Sequence, residues 1–410
     1  MKAKQTLCSV SVLLVLCCHV ANAAPTYKIL HAFGTLPDGG GAWSSVVLDQ
    51  QGNIYGTTSG GGQYDCGTVF ELIKPGAQSQ WTEDQLYSFT CGSDGNGPFG
   101  GVTFDAAGNL YGTTMYGGTY GFGNVFEVMP GGGHWTETSI YSLGTDPEDG
   151  GFPYAGVAID STGSLYGTTP RGSTVFELSP TQGGGWAESV IDDFSRPHDG
   201  AEPYAGLIVD SAGNLYGTTE GGGLYTVGTV YQLHPTADGV WKESFYSFCK
   251  AGPPCLDGAT PRLGALVSDG VNSVYGTTSE GGANRCGEGN CGTVYRLNRT
   301  PSGTVKETVL YNFQGNAMGF NPVGGVVRDE AGNLYGATLD GGSPGCQCGV
   351  VYELSPGMND TWTYTVLHTF TGYDGAQPDA NLTLDGKGHV FGTAALGGPY
   401  GGGVVFEITP

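Results

Sequence analysis

Positive charge is scarce in this chain. It carries 15 Lys and Arg in 410 residues, against 38 Asp and Glu, for a formal net charge of −23. So few cations cannot neutralise a run of phosphates, which argues against nucleic acid and anionic membranes as partners. Helical patterning is missing too. No window has a convincing apolar period of about 3.6 residues, so almost no helix is expected. Apolar runs long enough to span a bilayer are absent. The 76 glycines follow no Gly-X-Y period, which excludes collagen. Disorder does not fit either, because 23 Tyr and 17 Phe supply ample apolar surface.

Residues 1–23 read as a secretory signal. Lys2 and Lys4 precede an apolar stretch from Leu7 to Cys18, and Ala21-Asn22-Ala23 is an A-x-A cleavage site. Cys17 lacks the small residue that a lipid-attachment site would place before it, and the chain shows no anchor tail before Pro410. The expected product is a soluble, exported, monomeric protein of residues 24–410. Losing Lys2 and Lys4 leaves 13 basic against 38 acidic residues, a net charge of −25.

What is present is a repeat. Gly213-Asn214-Leu215-Tyr216-Gly217-Thr218-Thr219 is followed by a glycine-rich loop and by Gly228-Thr229-Val230-Tyr231-Gln232-Leu233. Versions of this pair occur seven times. The inner glycines are Gly56, Gly112, Gly167, Gly217, Gly276, Gly336 and Gly392, spaced by 56, 55, 50, 59, 60 and 56 residues. Periods of this length mark stacked or circular arrays.

Each repeat holds four strand candidates rich in Val, Ile, Thr, Tyr and Phe, punctuated by Gly, Pro, Asn and Asp. In the second repeat they are 101–105, 109–114, 124–128 and 135–142. The turn between the first two keeps an Asp throughout: Asp49, Asp105, Asp160, Asp210, Asp269, Asp329 and Asp385. Asp bonds turn backbone, and Gly supplies positive φ. These seven are read as structural.

Seven four-stranded units predict an all-β fold, a seven-bladed β-propeller. The termini favour a closed ring over an open solenoid. Tyr27-Lys28-Ile29-Leu30-His31-Ala32-Phe33 is a lone fourth strand, closely matching Tyr364-Thr365-Val366-Leu367-His368-Thr369-Phe370. The chain ends on a third strand, Val404 to Ile408. Together the two ends complete the seventh blade and leave no open edge.

The linked motifs Asp-Gly-x-x-Pro, Gly-Asn-Leu-Tyr-Gly-Thr-Thr and Gly-Thr-Val-Phe-Glu-Leu resemble the GloVer-type tandem repeat of exported bacterial proteins, across nearly all of 27–410. Kelch propellers are a weaker likeness. The resemblance implies no established activity and no catalytic residues. Members often carry a C-terminal sorting anchor, which is not seen here.

Antiparallel order puts the loops after strands two and four on one face. That face carries the variable segments, and function usually sits on such loops. It holds all eight remaining cysteines, and export implies that they form disulfides. Cys66 and Cys91 lie equally far from a turn near Ser79, which pairs them. Cys249–Cys255 and Cys286–Cys291 make local loops. Cys346 and Cys348 are left open, since so short a loop strains a disulfide. A metal centre is disfavoured because no His lies near these cysteines.

The same face carries Asp-Gly pairs at Asp38, Asp94, Asp149, Asp199, Asp257 and Asp374. They read either as turns or as a ring of carboxylates for Ca²⁺ or a hydroxylated ligand, although no calcium-loop spacing is complete. Aromatics interleave with them: Tyr64, Phe99, Tyr116, Tyr120, Phe122, Tyr154, Tyr204, Tyr225, Phe320 and Tyr400. Aromatic faces beside carboxylates suit sugar rings, so a glycan or other neutral or cationic ligand, or a cell-surface or extracellular protein, is the expected partner. No resident cofactor is expected. Arg171 is a rare cation on this rim, placed to orient an acidic group or to pair with a neighbouring Asp.

Catalytic signals are poor. Gly341-Gly342-Ser343-Pro344-Gly345 fits G-x-S-x-G but precedes a strand instead of a helix. The histidines form no motif. Paired carboxylates for polysaccharide cleavage fit the acidic face, but sequence alone selects no pair. The readings carried forward are a binding or scaffold propeller and, as the alternative, a polysaccharide hydrolase or lyase.

Overall fold

The computed structural model describes residues 24–410 apart from 77–79, 147, 197, 288 and 301–304. The expected secretory signal and the turn near Ser79 lie outside the described residues. The fold is a seven-bladed β-propeller of four-stranded antiparallel sheets. The expected scarcity of helix holds: two short 3-10 turns, Asn316–Met318 and Met358–Asp360, interrupt the strands.

Blade 2 shows the plan. Its strands are Thr103–Phe104, Leu110–Thr114, Asn124–Gly131 and His134–Ser142. First strands of neighbouring blades approach one another, so they line the axis. The second strand is buried on both faces, which is why Leu-Tyr-Gly-Thr-Thr carries no charge. Its glycine is needed for space. A Cβ on Gly112 would lie 2.5 Å from Phe126 of the third strand. The outer strand alternates exposed and half-buried residues.

The ring closes as the ends of the sequence predict. Blade 7 consists of Thr383–Leu384, Val390–Ala394, Val404–Thr409 and the N-terminal strand Thr26–Ala32. Tyr27 lies opposite Ile408, and Ala32 lies opposite Val404.

Two devices join blade to blade. The first is aromatic. The Phe that follows a fourth strand meets the third-strand ring of the next blade edge to face, as in Phe89–Phe126 at 5.1 Å and Phe370–Phe406 at 5.4 Å. Such pairs add about 0.5–1.5 kcal/mol beyond burial. The second uses the middle Thr of the second strand. Thr57, Thr113, Thr168, Thr277 and Thr393 donate to the carbonyls of Gly100, Ala155, Ala205, Gly324 and Ser44 at the start of the next blade. Blade 6 has Ala337 at this position. Thr218 has the hydroxyl but finds no partner. Blade 5 carries one more residue between Pro261 and Asp269 than blade 4 does between Pro203 and Asp210, which changes the backbone at that point.

The structural reading of the Asp turns is visible atom by atom. Asp105 accepts the N–H groups of Ala107 and Asn109 at 2.8 Å each, and the Asn109 side chain at 2.9 Å. The third-strand Glu accepts from the Tyr of its neighbour, as in Tyr111 Oη to Glu127 at 2.6 Å.

Candidate site at the mouth of the central channel

The two variable loop classes share a face. In blade 2 Asn96 bridges to Tyr116, in blade 5 Ala259 to Glu280, and in blade 7 Ala376 to Leu396. The disulfides brace these loops: Cys66–Cys91, Cys249–Cys255, Cys286–Cys291 and Cys346–Cys348. The last is the pair that spacing left open.

Six Asp-Gly carboxylates cap their own turns. Asp38, Asp94, Asp149, Asp199, Asp257 and Asp374 each accept a backbone N–H just beyond the preceding fourth strand, from Gly34, Thr90, Gly144, Arg196, Cys249 and Thr371. Asp149 and Asp199 are buried. Burial alone would raise the Asp94 carboxyl, but hydrogen bonds from Thr90 and Tyr87 hold it below its usual range. Each carboxylate thus caps its own turn. Among the described residues one group has metal-ligating geometry, His31, Asp38 and Glu83, with donor atoms within 4.8 Å of one another.

A row of glutamates that sequence reasoning overlooked sits against these Asp. Glu83, Glu137, Glu188, Glu243 and Glu307, on the outer strands, each bury an oxygen that has no hydrogen-bond partner among the described residues. Burial, then the charge of Asp94, pushes Glu137 up to about 7. Burial, then Asp199 and Asp192, takes Glu243 to about 8. The spacing signal was the Glu two residues after Trp81, Trp135, Trp186 and Trp241, repeated at Glu307 after Val305.

The position six residues before each turn Asp, usually just after Pro, is, around the ring, Trp43, Phe99, Tyr154, Tyr204, Leu263, Val323 and Asp379. Trp43, Phe99, Tyr154, Tyr204 and Asp379 line one cavity of about 440 Å³ at the channel mouth. Four successive blades therefore supply an aromatic arc. Phe99 and Tyr154 stack with ring centroids 5.1 Å apart, and Tyr154 and Tyr204 meet edge-on at 6.1 Å. Asp379 is 4% exposed, and its Oδ1 has no hydrogen-bond partner among the described residues. Burial pushes its carboxyl up to about 8, against the opposing effects of its own backbone N–H and of Arg262. It is therefore mostly a neutral acid at pH 7. Burial, then the Asp379 charge, raises Tyr154 to about 12. Arg262 is paired with Glu220 at 3.5 Å.

Of the residues selected from sequence, Phe99, Tyr154 and Tyr204 reach this mouth. Tyr116 and Tyr120 stand exposed on the outer loops. Arg171 lies over the Phe122 ring, 3.8 Å from its centroid. Its contact is therefore cation–π, where an Asp partner was expected. Trp43, Arg262 and Asp379 were overlooked. The available signal was the column after the proline, in which a lone Asp follows four aromatics.

Solved structures similar to this chain share its fold. One is virginiamycin B lyase from Staphylococcus aureus, with TM-score 0.54, 12% identity, and coverage of 94% of this chain and 99% of that one. Another is a candidate 6-phosphogluconolactonase from Bacteroides uniformis, with TM-score 0.51, 12% identity and 88% coverage of both. At such identity the likeness concerns fold alone. No curated protein matches the chain. The Gloeobacter/Verrucomicrobia repeat model matches residues 18–172, 77–289 and 284–410. The kelch likeness has no counterpart in these findings. The chain belongs to the Gloeobacter/Verrucomicrobia repeat family.

Proposed function

We propose that this is an exported binding propeller that takes a neutral carbohydrate at the mouth of its central channel. The observation that carries the reading is the arc of Trp43, Phe99, Tyr154 and Tyr204 facing a cavity that also holds the buried, unpartnered Asp379. Aromatic faces take the C–H face of a sugar, and a neutral carboxyl can both donate to and accept from hydroxyls. Glu202 and Glu280 crowd Glu220 beside Arg262. That acidity disfavours acidic polysaccharides. Four disulfides suit an oxidising destination. Among the described residues no helix is long and apolar enough to cross a membrane.

A glycan array with wild type and Asp379→Asn tests this reading. Binding of a neutral glycan by wild type, weakened at least tenfold in the variant at unchanged melting temperature, is expected. No binding to any glycan, with or without Ca²⁺, would remove it. One observation favours the cleavage reading: a carboxyl held neutral near pH 7 is a competent general acid. Release of reducing ends or unsaturated products from a bound glycan, lost in Asp379→Asn, would move the protein from binder to enzyme.

A further inference from the structure

A second cavity, of about 840 Å³, lies in the seam between blades 4 and 5 and shares with the mouth only the inner-strand residues Ile208 and Val209. Its origin can be read from the repeat. Five blades open their outer strand with an indole: Trp81, Trp135, Trp186, Trp241 and Trp362. That indole wedges into the seam and packs against the second-strand Tyr of the preceding blade. Trp135 meets Tyr55 at 6.3 Å, Trp186 meets Tyr111 at 5.9 Å, and Trp241 meets Tyr166 at 6.3 Å. Blade 5 has Val305 there, and Val305 lines the cavity together with Tyr216. The gap is the space of a missing tryptophan.

Two more departures accompany this one. In blades 2, 3, 4 and 6 the residue opposite the indole is a proline, as Pro235 is to Trp241. Opposite Val305 it is Arg299. The Arg299 guanidinium reaches across the seam to the Gln232 side-chain oxygen and to Ser244 Oγ in blade 4. Gln232 itself stands where five other blades have Glu. The seam has therefore lost an aromatic plug and one of its carboxylates, keeps Asp210 on the Tyr216 hydroxyl at 3.0 Å, and has gained a cation held by neutral partners at the rim. Its floor is apolar, with Val230, Tyr231, Phe245 and Leu297. The volume falls within the range of small-molecule sites.

The geometry points to a second ligand site in this seam, for a small planar aromatic compound bearing an anionic group. The ring takes the place of the absent indole against Tyr216, and the anion faces Arg299. This site stands on its own observations and does not depend on the channel mouth.

Calorimetric titration of residues 24–410 with indole-3-acetate and with indole tests it, using wild type, Val305→Trp and Arg299→Gln. Wild type should bind indole-3-acetate saturably. Val305→Trp should lose at least tenfold in affinity for both probes while melting several degrees higher, because the plug is restored. Arg299→Gln should weaken indole-3-acetate at least fivefold and leave indole unchanged, a comparison that stands even if the tryptophan variant folds poorly. No saturable binding to wild type at millimolar probe overturns the proposal. So does undiminished binding in a folded Val305→Trp. Equal loss of both probes in Arg299→Gln would overturn the anionic half.

Discussion

Blades 1–4 and blades 5–7 build the same ring with different residues. In the first group the position six residues before the turn Asp is Trp43, Phe99, Tyr154 or Tyr204; in the second it is Leu263, Val323 or Asp379. The outer-strand indole is present in blades 1–4 and replaced by Val305 in blade 5. The first three blades close their seams with Phe70, Phe126 and Phe176, whereas blades 4–6 use Tyr231, Tyr295 and Tyr352, whose hydroxyls are buried without partners. The difference teaches where to look for function in a repeat. Kept positions maintain the ring, and both cavities involve positions where the repeat is broken.

The sharpest way to break the comparison is to open the ring. Deleting residues 24–33 removes the outer strand of blade 7, with buried Leu30 and Phe33, and bares the edge of Val404–Thr409. Folded monomer should be nearly lost. A truncated protein that elutes and melts like wild type would refute closure. Next in size are the disulfides. Cys66–Cys91 spans 25 residues and should contribute about 3 kcal/mol on loop entropy. Cys346–Cys348 spans 2 and should contribute less. Chemical denaturation of the two double-alanine variants would rank them.

The blade staple offers a matched pair. Thr113→Val leaves the Ala155 carbonyl without its donor and should cost about 1 kcal/mol. Thr218→Val removes a hydroxyl that has no partner and should be neutral or stabilising. Equal losses would show that the staple carries no energy. Tyr295→Phe belongs with Thr218→Val, since its phenol is buried and unpaired.

The smallest expected effect is a slope with pH. Glu137, Glu243, Glu307 and Asp379 have folded values near 7 or 8, above those of unfolded carboxyls. A raised carboxyl contributes stability that is complete below its unfolded value and is lost as pH rises through the folded one. Asp94 and Asp210, held low once hydrogen bonds outweigh burial, act in the opposite sense and lose their contribution under acid. The melting temperature should therefore peak in mildly acidic buffer and fall from pH 6 to pH 9. A flat profile across that interval would contradict the buried-acid assignments.

The ring was legible because its determinants are local and repeated. The matching strands at Tyr27 and Tyr364 identified the closing blade, and the spacing around Cys66 and Cys91 paired them. The site was legible only in part. Phe99, Tyr154 and Tyr204 stood among ten loop aromatics, and nothing local separates a ring on the channel from one on a rim. Asp379 was hidden among many acids, most of which cap turns. Its electrical neighbours, Tyr154 and Arg262, come from blades 3 and 5, which no single repeat records. Val305 was visible as a missing Trp, but the cavity it leaves appears only once two blades are packed.

The most direct test of the channel-mouth site sets two tyrosines against each other. Titration of the best array glycan into Tyr154→Ala, at the mouth, and Tyr120→Ala, on the outer loop, compares the new placement with the rim. The account predicts at least a tenfold loss for Tyr154→Ala and wild-type affinity for Tyr120→Ala, with both variants melting like wild type. Binding lost in Tyr120→Ala and kept in Tyr154→Ala would contradict it and return the site to the outer loops.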